Sequence, residues 1–177
     1  MLKVAGGKYR SRQLEVPPNG TVPTKSMVRE AIANALLPMI PGARVLDLFA
    51  GSGALGIEML SRGAKEAVFV DHSPEAARII TSNLVLLKET NGKVVCADFR
   101  SAIESFDAPF DIVLLDPPYA ELSWYDDAIQ ELLQRNLLKE GSAVMLEYEQ
   151  EPTLDASSFS RSRSYRYGRT KVTILWR

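Results

Sequence analysis

From Ala43 onward the chain alternates between short apolar runs and stretches with helical periodicity. The runs at 44–48, 67–70, 93–97, 111–115 and 142–148 are rich in Val, Ile, Leu and Ala. Runs that are apolar on both sides predict strands buried on both faces, as in a parallel sheet. Between them, 54–61, 74–88 and 124–135 read as helices. Ser73-Pro74-Glu75 opens the second with an N-cap, a proline at the first helical position and an early acid. The third places Tyr125, Ile129, Leu132 and Leu133 inward. An earlier helix starts near Ser26, with Val28, Ala31, Ile32, Ala35 and Leu36 on one face, and ends at Pro38 and Pro41-Gly42. At the carboxyl terminus, 161–167 and 170–177 read as two strands joined by Tyr167-Gly168-Arg169. At the amino terminus, Gly6-Gly7 reads as a bend between two short strands, and Val16-Pro17-Pro18-Asn19-Gly20 as a loop. Alternating β and α predicts an α/β fold: a doubly wound, mostly parallel, seven-stranded sheet with an antiparallel edge. A small β-hairpin and helix precede it, which divides the chain into a 1–25 extension and a 26–177 main domain.

The chain has 177 residues, one histidine and one cysteine. One cysteine cannot form an internal disulfide or a cysteine zinc cluster, one histidine cannot form a His-rich metal site, and no metal site is expected. The ordinary expectation for Cys96 is a small buried apolar residue. The first residues are polar and basic and no apolar run has membrane-spanning length, so neither a signal peptide nor a span is expected. These features predict a cytoplasmic protein. Net charge is −1, but residues 1–44 carry seven Lys or Arg against two acids, and 161–177 carry six against none. Basic ends around an acidic middle suggest a face for a polyanion, with Lys8, Arg10, Arg12, Arg166 and Arg169 as candidate contacts. A scattered solvated surface would carry the same charges.

Two stretches carry the candidate chemistry. Asp47-Leu48-Phe49-Ala50-Gly51-Ser52-Gly53-Ala54-Leu55-Gly56 links the first main strand to its helix. Glycines there let the backbone approach a ligand, and Asp71 at the end of the next strand suits the two ribose hydroxyls of an adenosine cofactor. Asp98 ends the third strand and can face adenine, with Phe99 against the ring; each acid also suits a cap or turn. The glycine spacing admits a dinucleotide. Asp47, however, would repel pyrophosphate and suits the α-amino group of a methionine moiety, so S-adenosylmethionine is the better fit. The second stretch is Asp116-Pro117-Pro118-Tyr119, after the apolar run 111–115. The prolines force an extended, stiff turn. Acceptors on Asp116 and the Pro117 carbonyl can hold the N–H bonds of an exocyclic nucleobase amine while Tyr119 stacks on the base. The plainer reading is a proline-rich turn after a core strand. Trp124 and Tyr125 are expected to pack on the sheet, Glu147 and Glu149 to be solvated, and His72 to lie on the surface beside the cofactor loop.

These two motifs resemble the class I methyltransferases that modify exocyclic amines. The whole chain resembles the RsmD family, through Gly6-Gly7, Pro23-Thr24, Arg29-Glu30, Asp116-Pro117-Pro118-Tyr119 and Tyr167-Gly168-x-Thr170. Val22 and Ser26 stand where the family usually has an arginine and often an acid. The resemblance implies S-adenosylmethionine-dependent methylation of guanine N2 in 16S ribosomal RNA, with RNA within a small subunit or its precursor as partner. It implies that Asp116, Pro117, Pro118 and Tyr119 hold the base. It further implies that Asp47, Phe49, Ala50, Gly51, Ser52, Gly53, Asp71, His72, Asp98 and Phe99 hold the cofactor, with Thr24 and Arg29 closing the site. An adenine-N6 methyltransferase and a non-catalytic cofactor-binding RNA module are the alternatives.

Overall fold

The computed structural model describes residues 2–18 and 26–177, so Thr24 and the rest of residues 19–25 lie outside the described residues. In chain order the elements are β1 (Leu2–Lys3), β2 (Gln13–Leu14), α1 (Ser26–Leu36), β3 (Arg44–Asp47), α2 (Ala54–Ser61), β4 (Glu66–Asp71) and α3 (Pro74–Leu87). Then follow β5 (Gly92–Cys96), α4 (Phe99–Glu104), β6 (Phe110–Leu115), α5 (Ser123–Gln134), β7 (Leu138–Tyr148), β8 (Arg161–Tyr167) and β9 (Thr170–Trp176). Seven strands form one sheet in the order β5-β4-β3-β6-β7-β9-β8. Strands β3 to β7 are parallel, and β9 runs antiparallel between β7 and β8. The winding reverses at β3, with β4 and β5 on one side and β6 and β7 on the other. An open parallel sheet leaves a crevice at such a reversal, outside the carboxyl ends of the strands.

Strand alternation divides the core. Val45, Phe69, Ile112, Leu114 and Met145 face a layer built from α1, α2 and α3. Leu46, Val68, Val113, Leu115 and Leu146 face α4 and α5. Gly56 in α2 permits that closeness, since a Cβ there would lie 2.4 Å from the Phe69 ring.

Several details depart from the sequence expectations. Helix α4 was not foreseen; it has six residues, too few for a periodic signal, and the Asp98 carboxylate caps it by accepting from the Arg100 N–H at 3.0 Å. Helix α1 buries Val28, Ile32 and Leu36 as expected, but Arg29 and Ala33 complete the buried face in place of Ala31 and Ala35. Cys96 is exposed, because β5 is the sheet edge. Glu147 is 3% exposed rather than solvated, while Glu149 is exposed.

The amino-terminal residues are bound tightly to α2 and α3. The N–H groups of Ala5 and Gly6 donate to the two oxygens of Glu58, a carboxylate with no solvent exposure. Tyr9 donates its N–H to Ser61 and its hydroxyl to Glu89. Buried Asn83 accepts from the Glu15 N–H, and its amide donates both to the Glu15 carbonyl and to the Ser52 carbonyl of the glycine loop. Among the described residues no helix is long and apolar enough to cross a membrane.

Candidate active site at the carboxyl edge of the sheet

A cleft of about 460 Å³ opens at the reversal point and is bounded by segments that follow β3, β4 and β6. Phe49 and Gly51 come from the first, Asp71, His72 and Ser73 from the second, and Asp116 to Tyr119 from the third. It adjoins a second hollow of about 270 Å³ lined by Leu48, Phe49, Asp71, Ala97, Asp98, Phe99 and Trp124. The shared residues Phe49, Asp71, His72 and Trp124 make these two lobes of one site.

The glycine loop owes its shape to positive φ angles. Gly51 has φ 55° and nothing within 4 Å of where its Cβ would stand, so its surface is open to a ligand. Gly53, at φ 80°, is the N-cap of α2, and a side chain there would press on Ile80. Ala50 and Ser52 are buried and hold the loop from behind, Ala50 by donating its N–H to Val70.

The three strand-end acids behave differently. Asp71 accepts from the Gly51 N–H and the Ser73 N–H, each at 2.9 Å, one through each oxygen. A carboxylate accepts about four bonds, so it retains acceptor sites towards the cleft. Asp98 caps α4 while its residue lines the smaller lobe. Asp47 is turned inward: it is 2% exposed, accepts from the Gly56 N–H at 2.9 Å and is not among the residues lining either lobe. Its position fixes the start of α2 under the loop, in contrast to the expected contact with an α-amino group.

Burial raises the Asp47 carboxyl from 3.8 to about 7; the Gly56 N–H opposes the shift and the Asp71 charge adds to it. The folded state thus keeps a proton that the unfolded chain releases near pH 4. The stabilising effect is full below that pH and is lost as pH rises through about 7. For the cofactor-free protein, the urea midpoint should fall between pH 5 and pH 8 more in wild type than in Asp47→Asn. Parallel pH profiles for the two proteins would contradict a neutral Asp47.

The smaller lobe has an aromatic wall. Trp124 stacks on Phe49 with centroids 5.9 Å apart and 17° between planes, and Phe99 packs against both. Trp124, for which packing on the sheet was favoured over stacking on RNA, is thus a lining residue absent from the expected cofactor set. Tyr125, its neighbour, is wholly buried on the sheet and donates its hydroxyl to the Glu147 carbonyl. His72 is a surface residue at the rim, with its Nδ1 3.7 Å from Asp71.

At the other end, Pro117 is buried and Tyr119 is 48% exposed. The Tyr119 hydroxyl is pushed up to about 12, first by partial burial and then by Asp116, Glu147 and Glu149. The Thr170 side chain at the start of β9 lies near that hydroxyl and opposes the shift. Thr170 is a second missed residue; its signal was its place in Tyr167-Gly168-x-Thr170. Arg29 was expected to close the site, but it lies inside the protein with no exposure, donating to the Lys3 carbonyl at 2.6 Å. Burial lowers its pKa, while Glu58 and Glu147 oppose that shift.

The two basic ends do not share one edge. Arg166 and Arg169 flank the β8–β9 turn, beside Thr170 and hence Tyr119. Lys8 instead pairs with Glu89 at 2.8 Å, and Arg12 donates to the Leu86 carbonyl. Those partners stand at the carboxyl end of α3, whereas Ser73 and Glu75 at its start line the cleft. At 1.5 Å per residue, the helix separates the two places by roughly 20 Å.

The strand order, the antiparallel β9 and the glycine loop with its acid at the reversal point define the Rossmann-like fold of the class I methyltransferases. The chain belongs to the RsmD family: the family model described as conserved hypothetical protein 95 matches residues 2–176. It is 36% identical over 160 residues to ribosomal RNA small subunit methyltransferase D of Escherichia coli (strain K12), covering 88% of this chain and 80% of that one. The corresponding Haemophilus influenzae protein is 33% identical, over 86% of this chain and 81% of its own. A solved Escherichia coli structure, provisionally assigned as a methyltransferase, superposes with a TM-score of 0.89 at 34% identity, over 99% and 97% of the two chains.

Proposed function

We propose that this protein transfers a methyl group from S-adenosylmethionine to the exocyclic N2 amine of a guanine in small-subunit (16S) ribosomal RNA, in the cytoplasm. The observation that carries the reading is the convergence of Asp116, Pro117, Pro118 and Tyr119 with the Gly51 loop and Asp71 around one cleft. The relatives named as small-subunit ribosomal RNA methyltransferases supply the substrate class.

The residues present suit the cofactor. Asp71 has acceptor capacity left for ribose hydroxyls, and the Phe49, Phe99 and Trp124 wall offers apolar surface to an adenine. The open side of Gly51 admits a ligand close to the backbone. When bound, the cofactor supplies an electrophilic methyl group on a sulfonium.

The protein's own part is to make a weak nucleophile available and to aim it. A guanine amine is delocalised into its ring. Asp116 accepts one amine N–H and favours the pyramidal form, and its carboxylate stands ready for the proton that the amine must lose. The stiff Pro117-Pro118 turn fixes that acceptor, so no reorganisation is needed in the reaction. Tyr119 presents its ring face to the base, with its hydroxyl near Thr170.

Incubation of the purified protein with labelled S-adenosylmethionine and small-subunit RNA or precursor particles, followed by nucleoside analysis, tests this reading. The expected product is N2-methylguanosine at a single position. N6-methyladenosine would replace the substrate base, and absence of label from both RNA and particles would refute the reading.

A further inference from the structure

Strand β8 forms the outer edge of the sheet beyond β9. Its sequence, Arg161-Ser162-Arg163-Ser164-Tyr165-Arg166-Tyr167, alternates in a particular way. Tyr165 and Tyr167 pack at the margin of the core layer that contains α1, so by strand alternation Arg161 and Arg163 share their face. Two arginines and then two tyrosines thus follow one another along one face, over roughly 20 Å, and end at the turn beside Tyr119. Arg166 and Arg169 stand around that turn. All four arginines are exposed, and none has a carboxylate partner among the described residues.

Aromatic faces hold two of them in place. The Arg161 guanidinium lies 4.0 Å from the centre of the Trp176 ring and Arg163 5.1 Å from that of Tyr165. Charge on an edge strand also discourages pairing with other edges, but either sign serves that purpose. Here every charge from Ser157 to Arg177 is positive.

We propose that the β8 edge is the RNA-docking surface: a single-stranded segment lies along it, its phosphates on Arg161, Arg163, Arg166 and Arg169, and leads the target base over the β8–β9 turn to Asp116. This rests on the RNA reading above and assigns the contact to one basic end. Lys8 and Arg12, anchored at the far end of α3, and Arg10 between them in sequence take no part. Phosphate contacts of this kind position the nucleic acid, and the pocket selects the base. A positively charged track of this kind follows the backbone of a single strand.

The test measures affinity for a mixed-sequence single-stranded oligoribonucleotide at several salt concentrations, in wild type and two multiple variants. One replaces Arg161, Arg163, Arg166 and Arg169 with Gln; the other replaces Lys8, Arg10 and Arg12 with Gln. Log affinity against log salt should flatten by about 0.7 for each arginine that loses a phosphate, so by nearly 3 in the first variant. The second should keep the wild-type slope. Unchanged S-adenosylmethionine affinity by calorimetry confirms that each variant is folded. A wild-type slope in the β8 variant, or flattening confined to the amino-terminal variant, would overturn the assignment. No measurable RNA affinity in wild type would instead remove the RNA reading on which it rests.

Discussion

Asp116→Ala should reduce methyl transfer by roughly 10²–10³-fold, the usual loss when one preorganised hydrogen-bonding group is removed from a reacting centre. Cofactor affinity should stay near wild type. Asp116 lies on the β6 side of the cleft, whereas the glycine loop and Asp71 follow β3 and β4. The neighbouring ring supplies an internal comparison. Tyr119→Ala should also lower turnover, because it removes the stacking face. Tyr119→Phe should be mild, since it keeps the ring and loses only the hydroxyl near Thr170. Single-turnover rates at saturating cofactor, with calorimetric cofactor affinities, separate these cases. If Tyr119→Phe were as inactive as Tyr119→Ala, the hydroxyl would have a chemical role beyond the stacking face of its ring. An Asp116→Ala enzyme with near-normal rates would remove Asp116 from the chemistry.

Asp71→Ala should weaken S-adenosylmethionine binding by about 2–4 kcal/mol, or roughly 30- to 1,000-fold, through loss of charge-assisted bonds to the ligand. Part of that loss is indirect, because Asp71 also holds the Gly51 and Ser73 N–H groups. Asp71→Asn retains one acceptor oxygen and should fall between wild type and the alanine variant. Nicotinamide dinucleotides should not bind measurably to any of the three. Titration calorimetry decides the matter: equal S-adenosylmethionine affinity in wild type and Asp71→Ala would dismiss Asp71 as a ligand contact.

Much of the scaffold was legible because its signals are local. The apolar runs at 44–48 and 111–115 predicted strands to within a residue of β3 and β6, and α2 ran over the expected 54–61. What escaped depended on neighbours distant in sequence. Cys96 could be placed as exposed only once β5 was known to be an edge. Glu147 looked solvated because it follows an apolar run, yet it is buried and close enough to the Arg29 guanidinium to shift it. Arg29 itself looked like a site residue because its segment resembles a family motif. Within a helix, only packing decides whether such a side chain reaches a cleft or a buried carboxylate. The cleft residues nearest the glycine loop and the Asp116 turn were legible as motifs. Trp124 was not, since an aromatic in the first turn of a helix more often simply packs.

The attachment of the amino terminus has a consequence for how the chain is made. The first dozen residues leave the ribosome before any group they bind: Glu58 is 53 positions after Ala5, and Glu89 is 80 after Tyr9. They must therefore remain undocked until α2 and α3 have been synthesised. Loop closure of that span is slow compared with local helix formation. Asn83 then bonds Glu15 and the Ser52 carbonyl together. One α3 side chain thus holds both the amino-terminal segment and the glycine loop, and neither contact can form before Asn83 has been synthesised.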